Sequence, residues 1–264
     1  MSSATPAPPT SPTPPTLPEA LRSLGLRRTA ADLPDFLARA TRSRWSPAML
    51  LEELVRAESQ DRAQRSLERR LARARLGRFK FMADFEWDWP KTVDRAAVER
   101  ALALGFLESG GNVILAAAQG LGKTMIAKNV AHQAVLQGYS VRCVTAADLL
   151  LDLGSQETAR ALERRLRHYV APRLLAIDEL GYLTFDNRAA DLLFQVVSRR
   201  YERRSILVTT NLAFKDWGTI FPNAACVTAL IDRLTHHAEI ITIAGESYRR
   251  REAEAAQKGR RVKP

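Results

Sequence analysis

The chain has 264 residues, enough for one full α/β core and a smaller appendage, so two folded domains are the ceiling. Forty Lys and Arg against 29 Asp and Glu leave a formal charge of +11, which favours a polyanionic partner without specifying any sequence preference. Its two cysteines, Cys143 in a strand-like run and Cys226 in a helical one, exclude a disulfide scaffold and read as buried thiols; no Cys/His spacing suits zinc.

Residues 1–18 are rich in Pro, Ser, Thr and Ala, cannot bury apolar area, and read as a disordered or polyproline-like tail. They lack the basic and apolar regions of a secretory signal, and nothing downstream approaches about 18 consecutive apolar residues. The expected location is the cytoplasm, without membrane contact. From 19 to 80 the periodicity turns helical: Leu33, Phe36 and Leu37 follow Thr29 as the expected N-cap, and Ser46-Pro47 opens a segment carrying Leu50, Leu51 and Leu54. This predicts a small, basic, all-helical N-terminal domain.

The last part of that domain, 61–80, is dense in arginine, with Asp61 and Glu68 its only acidic residues. Arg62, Arg65, Arg69 and Arg73 fall on one helical face, which can track the phosphates of double-stranded DNA; an ordinary solvated face is the alternative. In residues 81–92, aromatic and acidic residues alternate from Phe85 to Trp89 and stop at Pro90, which predicts a short extended linker. Its rings either pack on the following core or stack on adenine or on bases.

Residues 93–248 alternate helical and strand-like runs, as an α/β domain does. The apolar run 112–117 leads into Gln119-Gly120-Leu121-Gly122-Lys123-Thr124 and then, from Met125, a helical pattern. In such a strand, loop and helix the backbone N–H groups and the helix N-terminus surround a phosphate, Lys123 reaches the β- and γ-phosphates, and Thr124 binds Mg²⁺. ATP and Mg²⁺ are therefore the expected cofactors. Ala117 stands where the motif asks for glycine; a positive φ there would cost about 1 kcal/mol, whereas extended backbone tolerates alanine.

After the predicted helix 123–136 and strand 141–144, with Thr145 as an N-cap, a third run, 173–177, ends in Asp178-Glu179. Asp178 would hold Mg²⁺ and Glu179 would act as general base toward the attacking water; a strand-end turn with solvated charges is the alternative. The run 205–210 ends in Asn211, placed either to orient that water or simply to form a turn. A helix over 223–237 and a strand over 239–243 close the domain, with His236 and His237 as helix-end residues. Residues 249–264 form a basic tail in which Arg249 and Arg250 read chiefly as DNA or solvent contacts.

With these motifs in place, the chain closely resembles the IstB-like family, the AAA+ ATPase helpers of bacterial insertion-sequence transposition, and more distantly the DnaC-type helicase loaders. The likeness runs from about Leu21 to Arg250. It is carried by 177–183 (IDELGYL), 200–205 (RYERRS), 209–212 (TTNL), Trp217-Gly218, 231–234 (IDRL) and 245–249 (GESYR). The resemblance implies an AAA+ P-loop fold with a parallel five-stranded sheet in three α/β/α layers, and ATP hydrolysis stimulated by DNA. It further implies a homo-oligomer on target DNA, with ATP sites shared between subunits, that recruits or stimulates a transposase encoded by a neighbouring gene. Arg233 matches the arginine that reaches the next subunit's nucleotide, with Arg203 or Arg204, or an intrachain pair involving Asp232 and Arg233's neighbours, as alternatives; Arg249 and Arg250 sit where some relatives contact the γ-phosphate. A helicase loader of DnaC type and a non-hydrolysing DNA-binding adaptor are the competing functions.

Overall fold

The short apolar runs of the second domain become strands buried on both faces, because successive side chains alternate between two helical layers. A computed structural model describes residues 15–182, 184–221 and 224–252, the last without the side chains of 224–226. The expected tails over 1–14 and 253–264 and the Cys226 thiol lie outside the described residues. The chain divides into two compact units, Met1–Ser66 and Leu67–Pro264.

The first unit is helical: α1 (Leu17–Ser23), α2 (Arg27–Ala31), α3 (Leu33–Arg42) and most of α4 (Pro47–Ala74), which continues into the second unit. Thr29 is not an N-cap. It is buried inside α2, where its N–H donates to Glu58 Oε1 at 2.6 Å, and α3 starts instead after Asp32, where Pro34 fits the helix's first turn. Ser46 does cap α4, its hydroxyl accepting from Met49 N at 3.2 Å. On α4, Arg62, Arg69 and Arg73 are exposed. Arg65 is half-buried and lies 2.7 Å from Asp61, close enough for an ion pair but without hydrogen-bond alignment.

In the second unit β1 (Thr92–Val93) is followed by α5 (Arg95–Ala103), α6 (Phe106–Ser109), β2 (Asn112–Ala117) and α7 (Lys123–Leu136). Then come β3 (Val141–Thr145), α8 (Ala146–Gly154), α9 (Ala159–Val170), β4 (Leu174–Leu180), α10 (Asn187–Arg200), β5 (Ser205–Thr210), α11 (Ala224–Thr235) and β6 (Ala238–Ala244). The sheet order is β1-β6-β2-β5-β4-β3. Five strands run parallel as expected; the sixth, β1, is an added two-residue strand antiparallel to β6.

Alternation divides the core in two. Ile114, Leu175, Ile177, Ile206 and Val208 pack with α8 to α11 on one face, while Val113, Leu115, Leu174, Ala176 and Leu207 pack with α5 and α7 on the other. The result is the three-layer arrangement, and each fully buried Leu or Ile contributes roughly 1.5–3 kcal/mol relative to exposure.

The segment after α4 is not extended. It forms a 3₁₀ turn over Met82–Asp84 that is tied to α7, with Met82 N donating to Asn129 Oδ1 (3.1 Å) and Asn129 Nδ2 to Lys80 O (2.9 Å). Apolar burial of Phe79, Met82, Phe85 and Trp87 against the core overrides the alternating pattern. Among the described residues no helix is long and apolar enough to cross a membrane.

Candidate functional site

Every strand that carries a sequence-predicted site residue ends at the carboxyl edge of the sheet, where open α/β folds place their ligands. β2 delivers the loop 118–122, β4 delivers Asp178 and Glu179, and β5 delivers Thr209, Thr210 and Asn211. Because β5 lies between β2 and β4, its end stands between the loop and the carboxylates.

Ala117, the departure from the glycine pattern, is the last residue of β2, paired in parallel with Ile243, and its φ is not positive. Extended backbone accepts a Cβ, so the alanine causes no strain there. The glycines that matter are the next two. Gly120 (φ +79°) and Gly122 (φ +86°) are left-handed, and a Cβ on them would meet Ser247 Oγ at 2.1 Å and Phe85 Cε2 at 2.7 Å. Gly122 caps α7, its carbonyl accepting from Ile126 N at 3.0 Å, which aims the helix N-terminus into the loop.

Lys123, the first residue of α7, is buried, and its Nζ donates to Ala117 O at 2.7 Å and Ala118 O at 2.8 Å. Burial pushes its pKa down; Asp178 works against that, while Arg249 adds to it. Thr124 Oγ1 donates to Asp178 Oδ1 at 3.0 Å, and Thr209 Oγ1 donates to the same oxygen. Thr209 Oγ1 in turn accepts from Glu179 N at 2.9 Å.

These contacts have a local cause. The β4–β5 register shifts between Ile177 and Leu180, so Asp178 and Glu179 together face one residue of β5. Within this bulge Glu179 takes φ +62°, which turns its exposed side chain away from strand alternation. Asn211 follows β5, and its Oδ1 is buried without a hydrogen-bond partner; a Cβ at Gly181 would lie 2.8 Å from it.

The loop opens on a cleft of about 440 Å³ lined by Gly120 to Met125, Glu179 and Thr209, and by Phe85, Trp89, Tyr248 and Arg249. Gln119 is exposed at the tip of the loop. The aromatic side of the cleft is braced by Glu86, which accepts from Tyr248 Oη (2.8 Å) and Arg251 (3.1 Å), and by Trp89 Nε1 donating to Glu246 O (3.0 Å). Arg249 is exposed, as a solvent contact requires, and it also lines the cleft. Thr209, Phe85, Trp89 and Tyr248 were not singled out as site residues by the sequence; the alternating aromatics at 85–89 pointed to Phe85 and Trp89, and the motifs 209–212 and 245–249 contain Thr209 and Tyr248.

Arg233 lies elsewhere. Its backbone carbonyl is 3.4 Å from Asn112 Nδ2, at the amino end of β2, and its guanidinium stacks 4.8 Å from the Phe194 ring centre. The six residues of β2 put roughly 17 Å of strand between that point and the loop, beyond the reach of any side chain. Arg203 and Arg204 follow α10 at the same amino end of the sheet.

The donors present suit a nucleoside triphosphate with a hard divalent cation. Two left-handed glycines shape the loop ahead of the α7 N-terminus, a buried ammonium supplies positive charge, and a hydroxyl and a carboxylate oxygen meet at 3.0 Å as oxygen ligands.

A loop of this kind at the edge of a five-stranded parallel sheet, with helices on both faces, defines an AAA+ P-loop protein. The fold matches DnaI (TM-score 0.53, 17% identity, 62% of this chain and 90% of that one) and the replication initiator DnaA bound to AMPPCP and single-stranded DNA (TM-score 0.51, 15% identity, 68% and 54%). The chain belongs to the family of IstB-like ATP binding proteins, which matches residues 19–256. It is 36% identical over 202 residues to a protein of Geobacillus stearothermophilus named for insertion sequence IS5376 and for ATP binding (76% of this chain, 80% of that one). It is 37% identical over 202 residues to the corresponding IS21 protein of Pseudomonas aeruginosa (76% of each).

Proposed function

We propose that the protein is a DNA-stimulated ATPase that assembles on double-stranded DNA through ATP sites shared between subunits and there recruits or stimulates a transposase. The observation that carries the enzymatic part is the linked set Thr124–Asp178–Thr209–Glu179 beside buried Lys123. The insertion-sequence names of the relatives and the charge of +11 support the transposition and DNA parts.

In this reading the loop from Gln119 to Met125 binds the phosphates through its N–H groups. Lys123 exchanges its two carbonyl partners for the β- and γ-phosphates, and Thr124 and Asp178 hold Mg²⁺. Magnesium, when bound, neutralises charge on the transferring phosphoryl group. Glu179 accepts a proton from the attacking water, and Asn211, whose oxygen lacks a partner, orients that water. Arg249, in the lining of the cleft, adds positive charge to it. Arg233, too far from its own loop, serves the site of a neighbouring subunit, where a transferred arginine contributes about 10³ to 10⁵ in rate.

The test is ATP turnover with and without duplex DNA for the wild type, Lys123→Ala and Glu179→Gln. DNA should raise the wild-type rate, both variants should fall to background, and Glu179→Gln should still bind ATP. Equal background rates in all three would leave a non-hydrolysing adaptor. A transposase gene beside this one, flanked by terminal inverted repeats, separates the transposition role from helicase loading.

A further inference from the structure

A second cleft, of about 500 Å³, opens along β3 and meets the nucleotide site only at Asp178 and Thr209. Four cationic side chains line it: Arg75, Lys128, Arg142 and Arg165. None of them has a part in the function proposed above.

Arg142 is the anomaly. It is the second residue of β3, at the edge of the sheet, and is only 6% exposed, yet no carboxylate lies within ion-pair distance of it among the described residues. Among the described residues its backbone acceptor is Arg73 O at 3.4 Å, the Tyr169 side chain is a neutral polar partner with its ring centre 5.9 Å from the Arg142 Cζ, and the Nε is buried with no acceptor. A buried guanidinium without counter-charge is costly, and buried charges ordinarily have a partner.

The carboxylates facing the cleft do not supply that partner. Asp152 is taken by Arg165 at 2.5 Å and by the Tyr169 hydroxyl; Asp178 is taken by Thr124 and Thr209; Asp148 is exposed at the start of α8. Arg75 is exposed, and among the described residues Lys128 Nζ has Arg78 O as its acceptor, at 3.3 Å. The field is positive enough that, after burial, Arg142 and Arg165 together hold the His168 pKa below its usual range.

We propose that this cleft is a phosphate-binding site, separate from the nucleotide loop, in which Arg142, Arg75 and Lys128 hold a phosphate group. Two guanidiniums and an ammonium match a tetrahedral dianion, since arginine pairs with phosphate through two parallel N–H bonds. The cleft is far larger than one phosphate ion, so it also has room for the organic part of a phosphomonoester.

The test is direct binding of inorganic phosphate to the full chain by calorimetry at constant ionic strength, with chloride as the control anion. Lys123→Ala serves as host, so that the nucleotide loop loses its ammonium and contributes less, the arginine variants report on this cleft alone, and failure of the ATP reading leaves this test intact. Saturable binding should persist in that host, fall at least tenfold with Arg142→Gln added, and fall similarly with exposed Arg75→Ala, which remains informative if Arg142→Gln does not fold. A sugar phosphate that competes with phosphate identifies an ester as the ligand; one that does not identifies the free ion. Phosphate binding that is absent in the Lys123→Ala host, or unchanged by both arginine substitutions, overturns the proposal.

Discussion

Thr209→Val tests the carboxylate site through a residue that does not itself carry the chemistry. Thr209 is 1% exposed, and its hydroxyl makes two bonds, donating to Asp178 Oδ1 and accepting from Glu179 N at 2.9 Å. Valine keeps the shape and leaves no cavity, so the change removes only the hydroxyl. A hydrogen bond to a charged group contributes about 1.5–3 kcal/mol, and an N–H left without an acceptor costs about 1–3 kcal/mol, toward the low end here because Glu179 is exposed to water. The second bond also anchors a left-handed residue, whose backbone alone costs roughly 1–2 kcal/mol.

If about 1.4–2.8 kcal/mol of that is lost in positioning Glu179, ATP turnover at saturation should fall about 10- to 100-fold. ATP affinity should change much less, because Lys123 and the loop are untouched. Thr209→Ser keeps both bonds, gives up one buried methyl at roughly 0.8 kcal/mol of stability, and should restore most of kcat. Steady-state turnover, ATP binding by calorimetry and urea denaturation separate these effects. A Thr209→Val protein that turns over ATP at the wild-type rate would refute the idea that the bulge is held for catalysis.

Replacing Arg62, Arg69 and Arg73 together by alanine should weaken duplex binding across all sequences and flatten its salt dependence by about 0.9 for each phosphate no longer neutralised, read from fluorescence anisotropy over a salt series. Arg200, fully buried, donates to Tyr169 O (2.9 Å), Val170 O (3.0 Å) and Pro172 O (2.9 Å); Arg200→Met strands these carbonyls and should cost at least about 3 kcal/mol in urea unfolding. Burial pushes the Cys143 thiol up to about 12, so at pH 8 in the native protein it should resist iodoacetamide, and peptide mapping should find it labelled only after denaturation.

Local sequence determined the phosphate loop, helix 123–136, the strand 205–210 and the Thr145 cap, because each depends on residues adjacent in the chain: an apolar run, a glycine turn, a side chain reaching three residues along. It also set the order of the motifs and which polar residues stand at the ends of the strands. The Thr29 cap failed because the chain is already helical from Arg27, and Glu58, 29 positions away, accepts the Thr29 N–H that the first helical turn leaves free.

What only the tertiary structure decided comes from non-local pairing. Inserting β5 between β2 and β4 sets Thr209 against the carboxylates, and the register slip opposite it turns Glu179 outward. Burial of Phe85 beside Gly122, together with the bonds joining Glu86 and Trp89 to the 246–251 segment, turns an apparent linker into the wall of the cleft. Spacing along the chain carries no record of which strands become neighbours, so these contacts, and the unpaired charge of Arg142, arise only once the sheet is assembled.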